Sequence, residues 1–352
     1  MTHGITSRIG QLFMAGMPGA GLDERTLFLI REFNLGGIIF FSRNIENPLQ
    51  LAGLCRDLQK EALRSHGTPL FLAVDQEGGR VARLREPFTR FCGNEAIAAD
   101  RECVKRAEEF GTATAKEMTL VGLNMDFAPV VDVQKGELEK HLQGRSFGDN
   151  PRKVALLGRT VIKFLQENGV MAVAKHFPGL GRAGVDPHVH LPIIDAPREE
   201  IERINLLPFR MAIDQGVTGI MSSHAVYPAL DPKQPATLSR EILARLLRDA
   251  MGFEGLIVTD DLEMGAIVGQ RPVAEAAVAA FHAGADMLLI CKEQQNVSDA
   301  YALIRDRLLQ GKIAEERVLQ SLERVEKAKA RFLRAKEEIS TAAVRDYFKM
   351  NA

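Results

Sequence analysis

Asp186-Pro187-His188 places a carboxylate two residues before an imidazole, a spacing that can move protons. The aspartate can accept one ring N–H, fix the tautomer and support the imidazolium, leaving the other nitrogen to exchange a proton with a ligand. The pair lies in KHFPGLGRAGVDPHVHLP, Lys175 to Pro192, which leaves an apolar run and turns through Pro178, Gly179 and Gly181. These glycines predict a loop mobile enough to carry the pair over a bound molecule. A phosphate cradle is a weak competitor, because neither a P-loop Lys-Ser/Thr nor a full dinucleotide fingerprint follows the GxG. Other apolar runs also end in polar residues: Asp75-Gln76-Glu77-Gly78-Gly79-Arg80 with Arg83 beyond, Lys175-His176, Ser222-Ser223-His224 and Asp260-Asp261. A single such Asp commonly caps a helix, and a single His is commonly a core residue. Several charged endings in one apolar framework point to a site.

The elements that must hold these groups repeat along the chain. Eight short apolar runs occur: 11–15, 36–41, 70–75, 124–131, 170–177, 217–224, 255–260 and 285–291. Most are continuously apolar rather than alternating, as in parallel strands covered on both faces. Amphipathic stretches such as 47–65, 100–121, 150–168, 198–214 and 239–251 separate them. Strand–helix alternation of this kind predicts a single-domain α/β protein, a (β/α)₈ TIM barrel, with a doubly wound open sheet as the structural alternative. In such a barrel the strand ends that carry the polar residues form one catalytic face. Two further helices, 297–310 and 314–336, are expected after the last strand. The barrel domain is therefore placed at residues 1–337, and the sequence predicts no structure for the tail, 338–352.

Composition narrows the partners. The 352 residues are 46% hydrophobic, enough for a large core, and 45 Lys and Arg nearly balance 46 Asp and Glu. A net charge of −1 gives no electrostatic basis for binding nucleic acid or an anionic membrane. Cys55, Cys92, Cys103 and Cys291 lie far apart and read as reduced thiols. The N-terminus has no long apolar core of a secretory signal, and no stretch approaches membrane-spanning length. The expectation is a cytoplasmic protein, monomer or weak homo-oligomer, with a small or neutral ligand and without metal or cofactor.

The segments KHFPGLG with its following Asp-x-His, VDQEGGR upstream and VTDDLEM downstream closely resemble glycoside hydrolase family 3. Within that family the match is to the single-domain β-N-acetylglucosaminidases (β-N-acetylhexosaminidases) of bacterial peptidoglycan recycling, and it spans roughly residues 10–291. The resemblance implies a TIM barrel and removal of terminal non-reducing N-acetylglucosamine from cell-wall saccharides or muropeptides, with retention of configuration. It implies Asp260 as nucleophile, His188 as general acid/base and Asp186 as its orienting partner. It implies Asp75, Arg83, Arg145, Lys175 and His176 as the groups that hold the sugar. Two positions depart from related sequences: Leu180 stands where a polar residue such as His is frequent, and Pro187 where Ser is common. Pro187 is expected to stiffen the dyad by fixing one φ angle. Asp261 cannot share the side of Asp260 on a strand, and it is read as a structural hydrogen-bonding residue.

The implied chemistry is physically consistent. A carboxylate nucleophile divides one difficult displacement into two, each through an oxocarbenium-like transition state that a nearby anion stabilises. A histidine titrates near neutrality without the tuning that a second carboxylic acid would need. Three alternatives stay open. A metal-dependent hydrolase could use Asp186, His188 and His190 with His176, His224 and Asp260; otherwise His190 is an ordinary loop residue. A phosphorolytic glycosidase could use the same residues with phosphate in place of water. A barrel that binds sugar without turning it over is the third.

Overall fold

The computed structural model describes residues 2–136, 139–333 and 339–350. Eight parallel strands follow one another in chain order: β1 (Phe13–Gly16), β2 (Gly37–Phe40), β3 (Phe71–Val74), β4 (Met125–Asp126), β5 (Met171–Phe177), β6 (Gly219–Ser222), β7 (Leu256–Val258) and β8 (Leu288–Ile290). Neighbours pair in sequence from β1 to β7, and β8 pairs with β1. The Val258–Met287 bridge joins β7 to the start of β8 and closes the ring. Each strand is followed by a helix: α1 (Glu24–Phe33), α2 (Pro48–His66), α3 (Cys103–Leu120), α4 (Pro151–Glu167), α5 (Leu206–Asp214), α6 (Glu241–Ala250, with π winding), α7 (Val273–Ala283) and α8 (Gln294–Leu309). The architecture is the expected (β/α)₈ barrel, and closure removes the open-sheet alternative.

Strand residues divide by parity. Met14, Ile39, Phe71, Met125, Met171 and Val173 fill the barrel interior, while Phe13, Ile38, Phe40, Leu72 and Ala172 belong to the layer shared with the helices. Period-two alternation sends successive side chains to opposite faces, and both faces are dry. That is why the runs read as continuously apolar. Helix starts are marked by local chemistry: Asn47 and Asn150 accept the first free N–H groups of α2 and α4, each with proline in the first turn.

One end of the barrel is plugged. Helix α9 (Glu315–Phe332) sends Val325, Ala328 and Phe332 into the interior cluster. Its Lys329 Nζ donates to Gln11 Oε1 and the Pro69 carbonyl, both at 2.6 Å. The opposite, carboxyl end is left for the strand-end polar groups. The tail contains α10 (Thr341–Phe348), which packs on α2, with Val344 buried and the Phe348 ring 4.8 Å from Phe88. The expected domain limit at residue 337, and residues 334–336 of the expected last helix, lie outside the described residues. No helix among the described residues is long and apolar enough to cross a membrane.

Candidate active site

A cavity of about 420 Å³ opens at the carboxyl ends of the strands and is lined by Asp75, Arg83, Arg145, Lys175, His176, His188 and Asp260, among others. Asp186 stands directly behind His188. The sequence-derived site residues are therefore gathered at one place from the ends of β3, β5 and β7 and from the loops after β3, β4 and β5.

The groups expected to hold the sugar form a charge network. Lys175 Nζ donates to Asp75 Oδ1 at 2.7 Å and lies 2.7 Å from Glu77 Oε1. Arg145 grips Glu77 with two bonds of 2.8 Å, and Arg83 reaches Asp75 at 3.5 Å. Glu77 is 1% exposed. Burial pushes its carboxyl upward, but Arg145 and Lys175 outweigh that and hold it well below the usual carboxylate range. For Lys175, burial favours the neutral amine, yet Asp75 and Glu77 prevail and the ammonium is retained above its ordinary value. These charges are fixed in direction before any ligand arrives. Gln76 steadies the hairpin that carries Arg83, exchanging side-chain bonds with Leu84. The partners of Lys175 are thus both acidic residues of the segment that follows β3.

Asp260 follows β7 and is partly open to the cavity. Burial pushes its carboxyl upward, but His224, His176, the Asp261 N–H and Lys175 together hold it below its ordinary value. The Asp261 N–H donates to Asp260 Oδ1 at 2.8 Å. Asp261 itself accepts from the N–H groups of Glu263 and Cys291, as a structural hydrogen-bonding residue does, but both aspartates lie beyond the end of β7 and line the same cavity, so the expected separation to opposite sides is not observed. Burial, with the nearby Glu263 and Asp260 charges, pushes its carboxyl up to about 6. Behind Asp260, His224 Nε2 donates to the Asp261 carbonyl at 2.9 Å and its Nδ1 meets Thr237 Oγ1 at 2.8 Å. Burial drives His224 toward the neutral ring.

His176 Nδ1 bonds Asp132 Oδ2 at 2.7 Å, and the other Asp132 oxygen accepts the His176 and Leu180 N–H groups. One buried aspartate thus orients a cavity histidine and anchors the following loop. In the dyad, His188 Nδ1 donates to Asp186 Oδ1 at 2.7 Å, and the His188 N–H donates to the same oxygen at 2.8 Å. The geometry leaves Nε2 free to exchange a proton. The side chain of His188 is 60% exposed, so solvent and ligand can reach it.

The loop glycines do something other than the mobility expected of them. Both Tyr227 Oη and Asn205 Nδ2 donate to the Gly179 carbonyl. A Cβ on Gly181 would lie 2.0 Å from the Val133 carbonyl oxygen. Both glycines permit close backbone packing, and buried Leu180 sits between them.

Four contributors went unassigned from sequence. Glu77 was visible in the Asp75 segment but carried no role, and Asp132, which directly follows the fourth apolar run, was given none either. His224 was noticed as a strand-end residue and a candidate metal ligand, without a role beside Asp260. His141 lines the cavity, contacts Glu139 through Nδ1 and lies 3.7 Å from Asp186 Oδ1; its buried Nε2 has no hydrogen-bond partner among the described residues. Ligand atoms of His141, Asp186 and His188 lie within 4.8 Å of one another, a nitrogen and oxygen set suited to a borderline divalent metal.

Charged groups at the carboxyl rim of a closed barrel define the class, an α/β-barrel enzyme with its site in the loops beyond the strands. Residues 5–328 match the Glycosyl hydrolase family 3 N terminal domain, and the chain belongs to that family. It is 36% identical over 336 residues to a beta-hexosaminidase A of Pseudoalteromonas piscicida, covering 89% of this chain and 56% of that protein. A beta-hexosaminidase of Pseudomonas aeruginosa is 38% identical over 295 residues, covering 83% of this chain and 86% of the relative. A glycoside hydrolase family 3 beta-N-acetylglucosaminidase from Paenibacillus superposes with a TM-score of 0.91 at 37% identity, over 97% of this chain and 67% of that one. The chain thus spans little more than half the length of the first of these relatives.

Proposed function

We propose that the protein is a retaining β-N-acetylhexosaminidase that removes terminal, non-reducing β-linked N-acetylglucosamine, with peptidoglycan fragments as the natural source. The observation that carries this reading is the shared cavity: Asp260 and His188, the latter held by Asp186, both line it, beside a network of charges. In the first step His188 protonates the leaving oxygen while Asp260 attacks the anomeric carbon. The glycosidic C–O bond breaks as an ester to Asp260 forms. In the second step His188 takes a proton from water, the water oxygen attacks the anomeric carbon and the Asp260 carboxylate is released. Asp75, Arg83, Arg145, Lys175 and His176 hold the hydroxyl and acetamido groups, and Glu77 keeps Arg145 and Lys175 in place. A cytoplasmic location and a monomeric or weakly associated state complete the proposal.

The test is turnover of nitrophenyl β-glycosides of N-acetylglucosamine, glucose and N-acetylgalactosamine, with product stereochemistry followed by NMR and parallel runs with and without phosphate. The N-acetylglucosaminide should be fastest, the first-formed sugar should be the free β-anomer, and phosphate should leave the product unchanged. Equal or faster turnover of the glucoside contradicts the acetamido specificity, and a first-formed α-anomer contradicts retention.

One observation favours a second reading, metal-assisted hydrolysis: the convergence of His141, Asp186 and His188. The wider ligand set suggested by sequence does not converge in this way, since His176 is engaged by Asp132 and His224 by Thr237 and Asp261. Dialysis against a strong chelator separates the readings. Unchanged turnover supports the covalent route, and a loss restored by zinc supports the metal.

A further inference from the structure

Asp260 and His188 come from different loops, so the distance between nucleophile and proton donor depends on what ties those loops together. The loop after β5 is secured at its root. Gly179 accepts two side-chain bonds, Leu180 donates to Asp132 at 2.6 Å, and the Lys135 N–H donates to the Gly181 carbonyl at 2.8 Å. Support then lapses: Gly184 has open space around it and Val185 is exposed. The dyad cannot locate itself, because Asp186 and His188 ride on the same loop tip and the His188 side chain is mostly exposed.

The tip is held again by the segment that follows Asp260. The Gly265 N–H donates to the His188 carbonyl at 2.9 Å, and the Ala266 N–H donates to the Pro187 carbonyl at 3.1 Å. Pro187 is buried against this segment. Glycine is required at the contact. A Cβ on Gly265 would lie 2.6 Å from the Val189 oxygen and 2.7 Å from the His188 oxygen, both of them main-chain atoms. Met264 N–H closes the intervening turn on the Asp261 carbonyl at 3.0 Å, so the latch is joined to Asp260 by a short, hydrogen-bonded path.

We propose that Gly265 is a positioning residue: the two main-chain bonds at Gly265 and Ala266 set the acid/base relative to the nucleophile before substrate binds. The proposal rests on the acid/base reading of His188. Proton transfer and displacement both depend steeply on placement, and an error of ~1 Å can cost ~100-fold in rate. A loop tip freed from the latch keeps its Asp186–His188 bond but loses its aim.

The experiment compares Gly265→Ala with wild type and His188→Ala on an N-acetylglucosamine disaccharide and on the activated nitrophenyl glycoside. Each is followed by kcat/KM, by pre-steady-state release of nitrophenol and by pH–rate profile. Gly265→Ala should lose at least about tenfold more on the disaccharide than on the nitrophenyl substrate, because only the poor leaving group needs a proton. A nitrophenol burst should precede slow turnover, and the pH limb abolished in His188→Ala should be weakened. Equal losses on both substrates with an unaltered pH profile, or wild-type kinetics, would overturn the latch. If Gly265→Ala does not fold by thermal melting, Ala266→Pro removes one donor without adding a Cβ at Gly265 and is judged by the same criteria. If His188→Ala itself shows no leaving-group dependence, the acid/base assignment fails and the latch with it. If His188→Ala shows that dependence and the latch variants do not, the latch alone fails.

Discussion

Lys175 and Arg145 are aimed by a residue that has no place among the sugar-binding groups implied by resemblance. Glu77 accepts from both, at 2.7–2.8 Å, and is buried. Breaking a buried ion network by removing one partner leaves uncompensated charge, a loss on the order of 3 kcal/mol. Glu77→Gln should therefore lower the melting temperature and also cut kcat/KM, because two cations lose their common anchor. Unchanged kinetics in a destabilised protein would confine Glu77 to a structural role. The catalytic candidates were legible because a short motif carries each one. Glu77, Asp132 and His141 were not, because their meaning lies in which strand ends become neighbours. Nothing in the local sequence says that Asp132 will reach both His176 and Leu180.

Elements were easier to read than contacts. Each of the eight apolar runs falls on a barrel strand, seven containing it whole and the first missing only Gly16, because both faces of each strand are buried and polarity marks the ends. The fourth run, 124–131, yields only Met125–Asp126 as regular strand. Pro129 lacks an N–H, and the ladder continues irregularly through the Ala128 and Pro129 carbonyls, which accept from Val173 and Lys175. The dyad loop was misread for a different reason. Composition presents Gly179 and Gly181 as freedom, whereas tertiary packing uses them for close approach to Asn205 and Val133. Tail helix α10 was invisible because its single buried residue, Val344, makes no periodic stripe.

At the scale of the molecule the two ends of the barrel divide the work, with chemistry at the carboxyl rim and closure by α9 at the other. The closure carries an unusual charge. Burial drives the Lys329 amine down to about 7, with Glu326 opposing only in part. Below pH ~7 both folded and unfolded chains carry this proton, and the cost of burying the ammonium is fully present. Above the ordinary lysine value of ~10.4 neither carries it, and the cost is gone. Stability contributed at this position therefore rises between about pH 7 and pH 10. The melting temperature of wild type should climb relative to Lys329→Met across that window. Parallel curves for the two proteins would show that Lys329 does not titrate within it.

The proposed covalent bond between Asp260 and the sugar can be sought by peptide mass mapping after reaction with a fluorinated, activated N-acetylglucosamine whose glycosyl-enzyme hydrolyses slowly. One added sugar is expected on the peptide containing Asp260, lost again when the protein is left to turn over. A sugar on any other residue, or continued turnover of the probe with no covalent species at all, would contradict it.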